Sequence, residues 1–183
     1  MAGTASGIPK TRDGDVEAIR ALRVARRSAV RTRIQVANQL HALVISAPEP
    51  LREQLRHLST RHLVDTAAAL RPGPALDPVA ATKHALRQLA RRHQDANTDI
   101  ADLDRLLEQL VPQACPELLA LFGVGTDVAG TLLVTAGDNP QRLHSDPAFA
   151  SLCGVAPLPA SSGKTTGRHR LNRGGDRQAN AAR

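Results

Sequence analysis

The sequence predicts an all-α protein: long helices with a coiled coil, followed by a small helical domain containing a helix-hairpin-helix. Three observations carry that expectation. Aromatic residues make up only 1% of a chain that is 42% hydrophobic, so the core must be built from Ala, Leu and Val, which favours helices. Apolar residues recur at steps of three and four over long stretches. Proline and glycine gather between those stretches and punctuate them. The 183 residues suffice for one or two small domains with a real core. The expected division is 1–71 for the N-terminal helices, 77–111 for the coiled coil and 115–183 for the C-terminal domain.

The opening "MAGTASGIPKTRDGD" is polar and glycine-rich and reads as a loop or an interior piece of a longer protein. A long helix then runs from Asp15 to Ala47, capped by Asp13 or Asp15 and stopped by Pro48 and Pro50. Val16, Ile19, Leu22, Val30, Ile34, Ala37, Leu40 and Val44 supply its apolar face, while Arg20, Arg23, Arg27 and Arg31 form a basic stripe. Such a stripe is most often a solvated face. Without interleaved acids it is also a candidate phosphate track. A second helix is expected over Leu51–Leu70, and "RPGPALDP" ends it as a linker.

The cleanest periodicity follows. Val79, Thr82, Leu86, Leu89, His93, Ala96, Ile100, Leu103, Leu107 and Leu110 alternate in steps of three and four, an a/d seam of more than four heptads. An intramolecular helical hairpin would also use such a seam, but the narrow stripe favours a dimer. His93 and Ala96 weaken its centre, where they can fix register or partner. No other ligand lies at useful spacing to make His93 a metal site.

"PELLALFGVGTDVAGTLLVTAG" predicts a short helix from Pro116 to Leu121, a Gly123-Val124-Gly125 turn, and a second helix capped by Thr126 or Asp127. Val124, Val128, Leu132 and Leu133 would pack the pair together. The glycines leave backbone N–H groups exposed beside a helix N-terminus, where a phosphate can sit. A plain helical hairpin with a glycine turn is the bland alternative. "HSDPAFASLCG" reads as a further helix with Ser145 or Asp146 as cap, Pro147 in the first turn and Gly154 as stop.

"PLPASSGKTTGRHRLNRGG", 157–175, carries four Lys or Arg residues and no acid. It is not a nucleotide-binding loop: Gly163-Lys164-Thr165 would need glycine at 158, which is Leu158, and Pro157 and Pro159 break any preceding central strand. A net charge of +7 and a pI near 10.9 point to an anionic partner, most often nucleic acid. With no Trp or Tyr and only Phe122 and Phe149, a base-stacking platform is missing. Charge and amides must therefore grip the backbone. Cys115 and Cys153 suit a reducing cytoplasm and form no zinc site with the scattered histidines. No membrane-spanning run or signal peptide is expected.

The order of parts closely resembles the C-terminal domain of the DEDD-type insertion-sequence transposases, the IS-one-ten family. The residues that carry the resemblance are the Gly-Val-Gly hairpin, "FASLCGVAP", the Ser162-Gly163 pair and the Arg-rich run ending in "RGGD", with Phe122 in place of the usual proline. "TRDGDVEAIRALRVARRSAVRTRIQVANQLHALV" is similar to the helix that leaves that family's RuvC-like domain, and Val79–Leu110 to its coiled coil. The resemblance implies an RNA-guided recombinase with a bridge RNA and four metal-binding carboxylates in the RuvC-like domain. It also implies a serine that attacks DNA.

It points to Ser162 as that nucleophile, with Ser161 as the neighbouring alternative. Lys164, Arg168, Arg170 and Arg173 would neutralise the attacked phosphodiester. Backbone at Gly123, Gly125 and Thr126, with Arg20, Arg23 and Arg27, would contact nucleic acid. Without the resemblance, turn chemistry would be the better account of the two serines. The RuvC-like acids should lie upstream of the first helix, and Asp13 and Asp15 have the wrong spacing for them. The expectation is therefore a truncated transposase that is inactive alone. It would hold no cofactor itself, with magnesium only in the missing domain. Its implied partners are DNA, a guide RNA and a second copy through the coiled coil, in the cytoplasm near the nucleoid. The alternative from another class is a non-catalytic helix-hairpin-helix module that only binds nucleic acid.

Overall fold

The computed structural model describes residues 12–73, 77–138 and 143–182. The N-terminal loop at 1–11 and the centre of the linker at 74–76 lie outside them. The elements are α1 (Asp15–Ile45), α2 (Glu49–Leu55), α3 (Thr60–Ala68), α4 (Pro78–Ala114), α5 (Pro116–Leu119), α6 (Thr126–Ala136), α7 (Asp146–Leu152), β1 (Leu158–Pro159), β2 (His169–Arg170) and α8 (Arg177–Ala181). The fold is all-α apart from those two short strands. Two compact units form: Val24–Arg105, and the chain up to Arg23 together with Leu106–Arg183. Both boundaries fall inside the long helices α1 and α4.

In Val24–Arg105, α4 runs antiparallel to α1. Arg26 pairs with Asp104, and Arg33 donates to Asn97 Oδ1 at 3.4 Å, so partners descend along α4 as they ascend along α1. Val36, Leu40 and Val44 of α1, Leu51 and Leu55 of α2, Leu63, Val64 and Ala67 of α3, and Leu86 and Ala90 of α4 close one core. Seam residues Leu86, Ala96 and Ile100 are buried within a single chain, as in an intramolecular hairpin. Within the seam, Asn97 Nδ2 donates to His93 Nδ1 at 3.2 Å. The centre read as weak is a polar bridge from Arg33 through Asn97 to His93.

Two expectations change here. Ile34 is 54% exposed, and Val36 occupies the buried face instead. The single helix over 51–70 is broken between Leu55 and Thr60. At about 100° per residue, an unbroken helix would carry Leu63, Val64 and Ala67 roughly 120–220° around from Leu51, away from the core. The break re-aims them, with Ser59 in extended conformation as the new N-cap.

In the other unit, Ile19, Leu107, Val111 and Ala129 are buried, and Leu22, Leu110, Leu118, Leu119, Val124 and Leu133 pack around them. Polar links supplement this small core. The Val16 N–H donates to Asp138 Oδ1 at 3.1 Å, so a carboxylate 122 residues away, not Asp13 or Asp15, caps α1. A Cβ on Gly14 would meet that carboxylate, so a larger residue there would push the cap aside. The helix expected over "HSDPAFASLCG" is present as α7, with Ser145 as N-cap and Gly154 at φ 72° after its end.

Candidate nucleic-acid interface

α5 is a single turn, anchored on the core by Leu118 and Leu119. The chain reverses through Gly123, at φ 81°, a conformation that costs glycine little. The Val124 N–H donates to the Leu121 oxygen at 3.1 Å, closing the turn. Gly125 is the N-cap of α6, in extended conformation and without a side-chain cap bond. Thr126 and Asp127 are the first helical residues rather than its cap, which corrects the expectation from the sequence. Gly123 and Gly125 are exposed, and Thr126 is half-buried. Val124 and Leu133 pack into the core, whereas Val128 and Leu132 line an apolar cavity of about 670 Å³ with Phe122, Phe149 and Val155. Phe122 itself is fully exposed.

The basic stripe on α1 is not uniform. Arg20 is exposed and donates to Glu17 Oε1 at 2.7 Å. That carboxylate holds the guanidinium above its ordinary pKa through the hydrogen bond and then its charge. Arg27 is half-buried and Arg31 exposed. Arg23 turns inward. Its Nη1 donates to Asp127 O at 2.7 Å and Oδ1 at 2.8 Å, its Nη2 donates to Thr131 Oγ1, and its side chain is 11% exposed. Arg23 therefore ties α1 to the first turn of α6 and offsets the acid there. That position is not on an exposed phosphate track.

The stretch 157–175 is a β-hairpin. Leu158 pairs with Arg170 and Pro159 with His169. The Ala160 N–H donates to Arg168 O at 2.8 Å. At the tip Ser162 and Thr165 exchange bonds of 3.0 and 2.9 Å around Gly163-Lys164. Between the 160/168 and 162/165 pairs, one limb has Ser161 alone and the other has Thr166 and Gly167, a bulge with Gly167 at φ 80°. Cross-strand partners share a face and successive residues alternate. Ser162 therefore lies on the face of Arg168 and Arg170, and Ser161 on the face of His169. Ser161, Ser162, Lys164, Arg168, Arg170 and Arg173 are all exposed. Gly123, Gly125 and Thr126 lie on the separate α5–α6 turn.

Sequence reasoning missed the hairpin, the terminal helix α8 and its cap. Asp176 Oδ1 accepts from the Gln178 and Ala179 N–H groups at 2.8 and 3.2 Å, and Oδ2 accepts from Thr135 Oγ1 at 3.2 Å. An acid followed by "RQANA" was the available signal. Behind α8, burial and then the Asp176 charge push the Cys153 thiol up, which keeps it a neutral packing group. At the other end of the domain, backbone hydrogen bonding and then Cys115 hold the Glu117 carboxyl below its usual range.

Among the described residues, no three His, Cys, Asp or Glu side chains are grouped to hold a metal, and no helix is long and apolar enough to cross a membrane. No curated protein and no solved structure matches the chain. Residues 115–182, from α5 through α8, match the family model described as Transposase IS116/IS110/IS902 family, which supports a transposase function for this protein.

Proposed function

We propose that the protein takes part in insertion-sequence transposition as the DNA-binding, serine-bearing part of a composite recombinase, with Ser162 as nucleophile. One observation carries the reading: the stretch similar to transposases presents Ser162 at an exposed hairpin tip, in one four-residue turn with Lys164 and on one face with Arg168 and Arg170.

In the proposed step, Ser162 Oγ forms a bond to phosphorus while the bond to the leaving deoxyribose oxygen breaks. The serine proton passes to a base, and a proton is returned to the leaving oxygen. Lys164, Arg168 and Arg170 stabilise the charge that gathers on the non-bridging oxygens. No acid occurs in 157–175 and His169 falls on the face of Ser161, so the base for Ser162 comes from outside the hairpin. The magnesium that the resemblance implies does not fit the described residues, which offer no ligand cluster, and no step of this chain's chemistry runs through it. Its carboxylates belong to a RuvC-like domain beyond these residues. The α5–turn–α6 element acts as a helix-hairpin-helix, its amides at Gly123, Gly125 and Thr126 holding a backbone phosphate. A guide RNA and a second copy of the chain are the further partners of this reading.

The test is covalent trapping on nicked or junction DNA, with a full-length relative, magnesium and guide RNA present. An adduct on this chain that vanishes in Ser162→Ala and survives in Ser161→Ala is the expected result. No adduct under any condition, with salt-sensitive DNA binding intact, would leave a binding module without turnover.

A further inference from the structure

Arg173 and Arg177 flank a pocket of about 290 Å³ at the foot of the hairpin, also lined by Asn172, Asn180, Gly154 and Gly175. We infer that this pocket binds a phosphate oxyanion, distinct from the phosphate at the Ser162 tip.

The walls are fixed by hydrogen bonds. Asn172 Nδ2 donates to Ser151 O at 3.4 Å, its Oδ1 accepts the Gly174 N–H at 2.9 Å, and Asn180 Nδ2 donates to Cys153 O at 3.2 Å. The floor is backbone on backbone. A Cβ on Gly175 would fall 2.2 Å from the Gly154 Cα, so no side chain fits between the two strands of chain. The carboxylate nearest in sequence, Asp176, is occupied by the α8 amides and Thr135. Neither Arg173 nor Arg177 has an ion-pair partner among the described residues. Two forked guanidinium groups beside one recess match the bidentate geometry of a phosphate.

The place matters as much as the chemistry. From the Leu158/Arg170 pair to the Ser162/Thr165 pair the first limb advances four residues, about 13 Å at roughly 3.3 Å per residue. Arg173 and Arg177 lie past the opposite end, so they hold a second phosphate rather than the attacked one. The oxyanion comes either from a nucleic-acid backbone or from free phosphate. The first source rests on the DNA-binding reading above.

The experiment uses the full chain and two readouts. Inorganic phosphate is titrated while the side-chain amide resonances of Asn172 and Asn180 are followed by NMR. Duplex DNA binding is measured as a function of salt. Arg173→Gln and Arg177→Gln are compared with wild type, Arg61→Gln serves as the exposed control, and Arg177→Lys keeps the charge without the fork.

The expected result is that phosphate shifts both amides in wild type and not in Arg177→Gln. Arg177→Lys restores the shift only in part, and each Gln variant lowers the salt slope of DNA binding by about one. Amide shifts that depend on the arginines, with the DNA slope unchanged or with no DNA binding at all, keep the pocket and assign it to free phosphate. The absence of DNA binding would separately sink the reading of the previous subsection. Amides that do not move with phosphate overturn the inference, even if the slope falls, because the arginines would then act as dispersed surface charge.

Discussion

The two units hold themselves together in different ways. Val24–Arg105 gathers its buried leucines, valines and alanines from four helices into one apolar cluster. Among its described residues, the unit that carries the hairpin buries Ile19, Leu107, Val111 and Ala129 in its main cluster and relies on directed polar links. Asp138 caps α1, Arg23 joins Asp127 and Thr131, and Asp176 joins α8 to Thr135. A surface that offers amides, serines and arginines to a partner leaves less apolar area for burial. Directed bonds then fix what burial alone would leave loose.

The largest effect should come from the apolar unit. Leu40 is 1% exposed, and Leu40→Ala should cost about 2–5 kcal/mol, the lost transfer energy plus the cavity left behind. Denaturant unfolding gives the size, and amide hydrogen exchange shows whether the loss stays within Val24–Arg105. A cost near zero would mean that this core is not what holds the unit.

In the polar unit the sharpest contrast lies within one stripe. Arg23→Ala removes the bonds that tie α1 to Asp127 and Thr131 of α6 and should destabilise by about 0.5–1.5 kcal/mol. Arg20→Ala should leave stability unchanged and reduce the salt slope of DNA binding, which Arg23→Ala should not. If the two variants behave alike in both assays, the assignment of Arg23 to an internal role fails.

A smaller loss is expected from Asp176→Ala, about 0.5–2 kcal/mol for a helix cap. Exchange should speed up in α8 and around Thr135 before it does so in α1. Uniform acceleration would contradict that local role.

The smallest effect concerns pH. Burial, then the charge of Arg33, pushes the His93 imidazole below its ordinary value of 6.5. The folded state therefore binds a proton less readily than the unfolded chain. The stability this contributes is present above about pH 6.5 and is lost as pH falls through the lower folded value. His93→Gln should flatten the acid limb of the stability profile, and an unchanged limb would assign it to other groups.

Much of this contrast was legible in the sequence wherever the cause is local. α1, α4 and α7 follow from periodicity, bounding prolines and Ser145, because each signal sits within a turn of what it determines. The break between α2 and α3 was not legible, since it answers to a core made elsewhere in the chain. For the same reason the sequence could not foretell that Arg23 would meet Asp127, or that Asp138 would reach Val16. At the candidate site, Ser162 was singled out by resemblance alone. The hairpin that separates it from Ser161 arises from pairing between prolines and arginines that resemble no strand.

The bulge at Thr166 and Gly167 has a consequence for how this limb tolerates change in length. Facing in a ribbon is a matter of parity, since side chains alternate sides at each step. Between the two closed pairs the return limb takes three steps, from Thr165 to Arg168, where the first limb takes two, from Ala160 to Ser162, and the bulge absorbs the difference. Removing one residue between Thr165 and Arg168 would only even the limbs and leave Ser162 on the side of Arg168 and Arg170. The first limb has no such slack: one residue added or removed between Ala160 and Ser162 should turn the serine to the side of His169.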